Sequence, residues 1–112
     1  MIDQVRPADL AAWFAQNPEA APVLLDVREP WELQTASVAP RGFTLVAIPM
    51  NEIPARLSEL EEGQRIACLC HHGARSQRVA AFLSQNGFAE LANVAGGIDA
   101  WSAQHDPSVP RY

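Results

Sequence analysis

Apolar runs of strand length alternate along this chain with stretches of helical period, a pattern that predicts helices packed on both faces of a mostly parallel sheet. The predicted fold class is therefore α/β, with a central sheet of about five strands. A first strand is expected near Ile2 to Val5. Pro7 suits a first helical position, and Leu10, Trp13 and Phe14 fall at i, i+3 and i+4, so a helix follows that stops before Asn17-Pro18. Val23-Leu24-Leu25-Asp26-Val27 is apolar on both faces until Asp26, as a buried parallel strand is. Its polar end, Asp26 to Glu29, marks where the strand leaves the core.

Residues 34–44 read as loop and Leu45 to Ile48 as a third strand. Asn51 then reads as the N-cap of a helix whose Ile53, Leu57 and Leu60 share one stripe, ended near Gly63. Arg65 to Cys70 reads as a central strand, followed by a polar turn and a helix from about Ser76 to Asn86. Val79, Phe82 and Leu83 form the stripe of that helix, and Gly87 is its C′ residue. A last strand near Leu91 to Val94 leads through the turn at Gly96-Gly97 to a short helix holding Ile98 and Trp101, with Trp101 read as core. The tail, Asp106 to Tyr112, with Pro107 and Pro110, reads as an extended wrap.

At 112 residues and 48% hydrophobic content, one domain over 1–112 is expected, with a core that forms without disulfides or structural metal. The net charge is −5 and lysine is absent, which argues against a surface that tracks nucleic-acid phosphates. The opening segment lacks the basic region and apolar run of a secretory signal, and no stretch approaches membrane-spanning length, so no membrane partner is expected. Cys68 and Cys70 lie two apart on one strand, facing the same way, and are too few for a secreted disulfide framework. Reduced thiols in a cytoplasmic protein are the expectation.

Ligands of open parallel sheets bind beyond the carboxyl ends of the strands, and the turn from Cys70 to Ser76 joins such an end to a helix N-terminus. A thiol there faces unpaired N–H groups and the positive end of the helix dipole, which favour thiolate, the nucleophilic form. Arg75 adds a permanent positive charge, and Gly73 lets the backbone curl so that several N–H groups converge on the sulfur. Cys70 is accordingly the candidate nucleophile and Cys68, mid-strand, a core residue. Tetrahedral zinc at Cys68, Cys70, His71 and His72 is disfavoured by strand alternation and the tight turn.

The segment Cys70-His71-His72-Gly73-Ala74-Arg75-Ser76 resembles the active-site loop of single-domain rhodaneses. Leu25-Asp26-Val27-Arg28-Glu29-Pro30-Trp31-Glu32, Ile48-Pro49-Met50 and Ala95-Gly96-Gly97-Ile98-Asp99-Ala100-Trp101 resemble three further motifs of that family, in the same order. The resemblance implies a sulfurtransferase in which Cys70 carries a persulfide without metal or organic cofactor. It implies thiosulfate or a protein persulfide as donor, and cyanide, thioredoxin or another thiol as acceptor. Gln34 to Ala47 departs from the pattern: it lacks the family's Gly-His-Ile-containing segment and looks longer, which bears on the rim of the site.

Within the loop, His71 and His72 either tune the field at the sulfur, touch an anionic donor, or have no special role. Arg75 has Asp26 or Glu32 as possible partners, Ser76 suits a helix cap, and Arg28 binds an anionic donor or pairs with Glu29 or Glu32. Two other functions share the fold: a cysteine-dependent phosphatase or arsenate reductase, and a catalytically silent binding module. The phosphatases resemble C-x5-R, whereas Cys70 and Arg75 enclose four residues, a cradle suited to one sulfur atom.

Overall fold

A computed structural model describes residues 2–112. Its strands are β1 (Ile2–Val5), β2 (Pro22–Asp26), β3 (Thr44–Ala47), β4 (Arg65–Leu69) and β5 (Leu91–Val94). They form one sheet in the order β1-β5-β4-β2-β3, with every pairing parallel. The α-helices are α1 (Leu10–Ala15), α2 (Pro30–Thr35), α3 (Ala74–Gln85) and α4 (Gly97–Gln104). Leu10, Trp13 and Phe14 of α1 pack with Ile98 and Trp101 of α4 over one face of the sheet, and Val79, Ala80 and Leu83 of α3 cover the other. Cys68 and Cys70 both belong to the α3 face, as their two-residue spacing requires.

β4 is buried at all five positions, because it lies between two strands and two helical layers. α3 ends as its glycine predicts: Gly87 has φ +94° and Phe88 N–H bonds back to Leu83 O at 3.1 Å, with Phe88 itself buried.

Three elements differ from the sequence expectation. The helix expected from Asn51 is absent, replaced by two 3-10 turns, Met50–Glu52 and Leu57–Glu59, although Ile53 and Leu60 are buried. Pro54 is the physical reason: it has no N–H to reach Met50 O, which accepts from Ile53 instead. α2 takes in Gln34 and Thr35 from the stretch read as loop, starting at Pro30, a residue pre-set for a first helical position. The tail is not extended throughout. It turns at Asp106, whose carbonyl accepts from Val109 N, and Val109 is buried with its own carbonyl taken by the Ser102 hydroxyl.

Chain order reverses between β2 and β4: β3 lies outward from β2, while β4 and β5 lie on its other side. The carboxyl ends of β2 and β4 therefore flank the topological switch point, the place where open parallel sheets bind their ligands. Cys70 leaves β4 there, and Arg28 and Glu32 follow β2 into the same place.

Candidate active site

Cys70 is buried, and its Sγ accepts from Gly73 N–H at 3.0 Å and lies 3.2 Å from Ser76 Oγ. Gly73, at φ +109°, is the N-cap of α3, so the N–H groups of Ala74, Arg75 and Ser76 open the helix with no carbonyl one turn back. Ser76 is therefore the third helical residue and not the cap, and its hydroxyl turns inward to the sulfur and to Asn93 Oδ1 at 2.5 Å. The helix also starts two residues earlier than the sequence expectation, which brings its positive end closer to Cys70.

Helix α4 pins the other side of the loop. Ile98 N–H donates to Cys70 O at 2.9 Å and Asp99 N–H to His71 O at 3.1 Å. This approach leaves no room for a side chain at Gly97, φ +61°, where a Cβ would stand 2.4 Å from His71 O and 2.5 Å from Cys70 O. The double glycine therefore lets a helix N-terminus touch the sulfur loop's backbone.

Arg75 pairs with Glu32 and not with Asp26, through two hydrogen bonds of 2.6 and 2.8 Å. Those bonds hold Glu32 at a pKa of about 2 against the opposing effect of its burial, helped by the Tyr112 hydroxyl and Glu29 N–H. In turn they keep Arg75 more strongly protonated than usual. Its positive charge is answered by a carboxylate, so the charge Arg75 offers the sulfur is smaller than the sequence suggests, leaving the backbone N–H groups the larger share.

Arg28 contradicts its surface reading. It is wholly buried, with Nε and Nη2 on Asp26 at 2.9 and 2.7 Å and the remaining N–H groups on Glu32 O, Ala36 O and the Tyr112 hydroxyl. No donor is left for an anion, and neither Glu29 nor the Glu32 carboxylate is its partner. Asp26 and Arg28 thus brace the floor on which Glu32 and Arg75 sit.

Of the two partners offered for Arg75, Glu32 is the one used, whereas Tyr112 and Asn93 are site residues that the sequence did not signal. The Tyr112 ring stacks on His71 at 3.9 Å, its carbonyl lies 2.7 Å from His71 Nε2, and the exposed Trp31 meets it edge-on at 6.1 Å. His71 also stacks on His72 at 4.0 Å, so the loop histidines form a rim with Tyr112. Asp99 comes close enough to these two histidines for a cation to be imagined there. Its carboxylate is held by Arg111 and His71 Nε2 lies against Tyr112 O, so that arrangement is already internally paired.

Cys68 is completely buried, and burial pushes its thiol up to about 12, which keeps it neutral and unreactive. Most of the divergent segment after α2 packs on the opposite side of the sheet from Cys70, while Ala36 O holds Arg28 and Val46 packs on the Cys70 side. Val38 and Phe43 pack with Phe14 and Trp101, walling a cavity of about 660 Å³ that no residue from Cys70 to Ser76 lines. Among the described residues no helix is long and apolar enough to cross a membrane.

Comparison with known proteins agrees with this geometry. A rhodanese-like domain is matched over residues 10–104. A sulfurtransferase of Allochromatium vinosum is 29% identical over 97% of this chain and 96% of its own length. The maize adenylyltransferase and sulfurtransferase MOCS3-2 is 36% identical over 80% of this chain, which spans only 19% of that longer protein. A rhodanese-related protein of Thermoplasma volcanium superposes with a TM-score of 0.74 at 34% identity, covering 98% of this chain and 99% of the other. Both curated relatives carry sulfurtransferase in their names, which supports sulfur transfer of the rhodanese type in general terms. With that match running over most of its length, the chain belongs to the rhodanese-like family.

Proposed function

We propose that this protein moves a sulfane sulfur from thiosulfate or a persulfide donor to cyanide or a thiol acceptor through a persulfide on Cys70. The observation that carries the reading is the convergence of Gly73 N–H and Ser76 Oγ on Cys70 Sγ at the opening of α3. In the first step the Cys70 thiolate attacks the outer sulfur of thiosulfate. The new bond forms between the two sulfurs, the old sulfur–sulfur bond breaks, and sulfite leaves with its electron pair. In the second step a thiolate or cyanide takes the terminal sulfur, and Cys70 returns as thiolate.

The N–H groups of residues 71 to 76 hold the anionic persulfide as an oxyanion hole holds developing charge. The side chains of Asp26, Arg28, Glu32 and Arg75 brace the loop from behind. A protein such as thioredoxin fits the acceptor role, because the rim of Trp31, Tyr112 and His71 offers aromatic surface beside the loop. Both cysteines are free thiols, which suits the reducing cytoplasm. The six-residue span from Cys70 to Arg75 favours one sulfur atom over a phosphate group, whose several oxygens need a wider ring of donors.

Thiocyanate formation from thiosulfate and cyanide tests the proposal. Cys70→Ser is expected to fall to the buffer rate, while Cys68→Ala retains most activity. An active Cys70→Ser variant, or rapid aryl phosphate turnover by the unaltered protein, contradicts it.

A further inference from the structure

We infer that Asn93 is a positioning residue which competes with the Cys70 sulfur for the Ser76 hydroxyl hydrogen and so sets how readily Cys70 becomes anionic. The inference deepens the proposed transfer, since it concerns the sulfur that the transfer uses.

Ser76 is fully buried and carries one hydroxyl hydrogen, yet two acceptors lie in reach: Asn93 Oδ1 at 2.5 Å and Cys70 Sγ at 3.2 Å. The orientation of Asn93 is fixed by its other end. Its Nδ2 donates to Gln4 Oε1 at 3.0 Å and to Gly73 O at 3.1 Å, and Gln4 is tied in turn to Gln77 Oε1. Both amide hydrogens are used on atoms that can only accept, so Oδ1, itself only an acceptor, faces Ser76. Asn93 lies on β5, a buried strand beside β4, and is itself buried.

Two hydrogen-bond arrangements follow. With Cys70 as thiol, the hydroxyl hydrogen goes to Asn93 and the Ser76 oxygen is free to accept from the S–H. With Cys70 as thiolate or persulfide, the hydroxyl turns to the anionic sulfur, adding to Gly73 N–H, and Asn93 Oδ1 is left without a partner in a buried place. A buried acceptor without a partner is unfavourable, so Asn93 biases the pair toward the neutral thiol. Protonation and the direction of one O–H are thereby coupled.

The other charged and titratable groups around Cys70 come from several elements. They are Arg75 on α3 with Glu32 of α2 behind it, Cys68 on β4, His71 and His72 in the loop, Asp99 on α4 and Tyr112 in the tail. Cys68 is replaced throughout the comparison below and the others are kept, so each pair with and without Ser76 isolates the hydroxyl.

The pH dependence of Cys70 alkylation by iodoacetamide reads the coupling, in a Cys68→Ala background so that one thiol reports. Asn93→Leu removes the competing acceptor, and the midpoint is expected to fall by roughly 0.5–1 pH unit, the size of one net hydrogen bond. Asn93→Asp loses the same two donors but is the stronger, anionic acceptor, so its midpoint rises. With Ser76→Ala added, the downward shift of Asn93→Leu vanishes and the upward shift of Asn93→Asp shrinks. A purely structural Asn93 shifts the midpoint equally with and without Ser76, and that result, or no shift in either variant, overturns the inference. Should Asn93→Leu not fold, the Asn93→Asp pair with and without Ser76 decides alone. Alkylation needs no sulfur donor, so intact coupling in a protein that forms no persulfide overturns the transfer proposal and leaves this one standing.

Discussion

Glu32 and Arg75 meet fork to fork across 43 positions of sequence, Nη1 on Oε1 at 2.6 Å and Nη2 on Oε2 at 2.8 Å. The carboxylate side of this pair is 3% exposed and the guanidinium side 30%. Glu32 also accepts from Glu29 N–H and the Tyr112 hydroxyl, so one carboxylate joins α2, α3 and the tail around the Cys70 loop.

Acid should loosen this joint. The Glu32 carboxyl is held at about 2, below its ordinary 4.5, chiefly by Arg75. A depressed carboxyl adds stability that is complete above pH 4.5 and is lost as pH falls from 4.5 toward 2, at most about 3 kcal/mol. Urea unfolding followed across that range should show a steeper loss for the wild type than for Glu32→Gln, which is the less stable protein at pH 7. Parallel profiles would contradict the pairing.

Gly97→Ala should damage the site more than the fold. A Cβ at Gly97 collides with the carbonyls of Cys70 and His71, both held by α4, and the positive φ adds strain. Sulfur transfer is expected to drop at least tenfold with a stability loss of about 1–3 kcal/mol. Gly63→Ala, with nothing within 4 Å and no positive φ, is the control and should be silent in both assays.

Tyr112→Phe keeps the ring that stacks on His71 but removes the hydroxyl that donates to Glu32 and accepts from Arg28. The expected loss is about 1–2 kcal/mol in denaturant unfolding, and Tyr112→Ala, which also loses the stack, should lose more. Equal stability of Tyr112→Phe and wild type would show that the tail does not brace Glu32.

The two scales of legibility follow from where the constraints lie. The stripes of α1, α3 and α4, the buried run of β2, the Schellman end at Gly87 and the loop from Cys70 to Ser76 are local patterns, readable within a dozen residues. Pro54 was also local, and its missing N–H outweighs the stripe of Ile53, Leu57 and Leu60. The braces around the loop are long-range: Glu32 and Tyr112 are 80 positions apart, and Asn93 is 17 from Ser76. Arg28 carries the surface signal of any arginine, and only the closing of Asp26, Ala36 and Tyr112 around it makes it an interior residue.

Intact mass after incubation with thiosulfate shows whether Cys70 carries the sulfur. Wild type and Cys68→Ala should each gain the mass of one sulfur atom and lose it to cyanide or a thiol reductant, while Cys70→Ser gains nothing. A sulfur adduct on folded Cys70→Ser, or none on wild type under any sulfane donor tried, would mean that Cys70 is not the sulfur carrier.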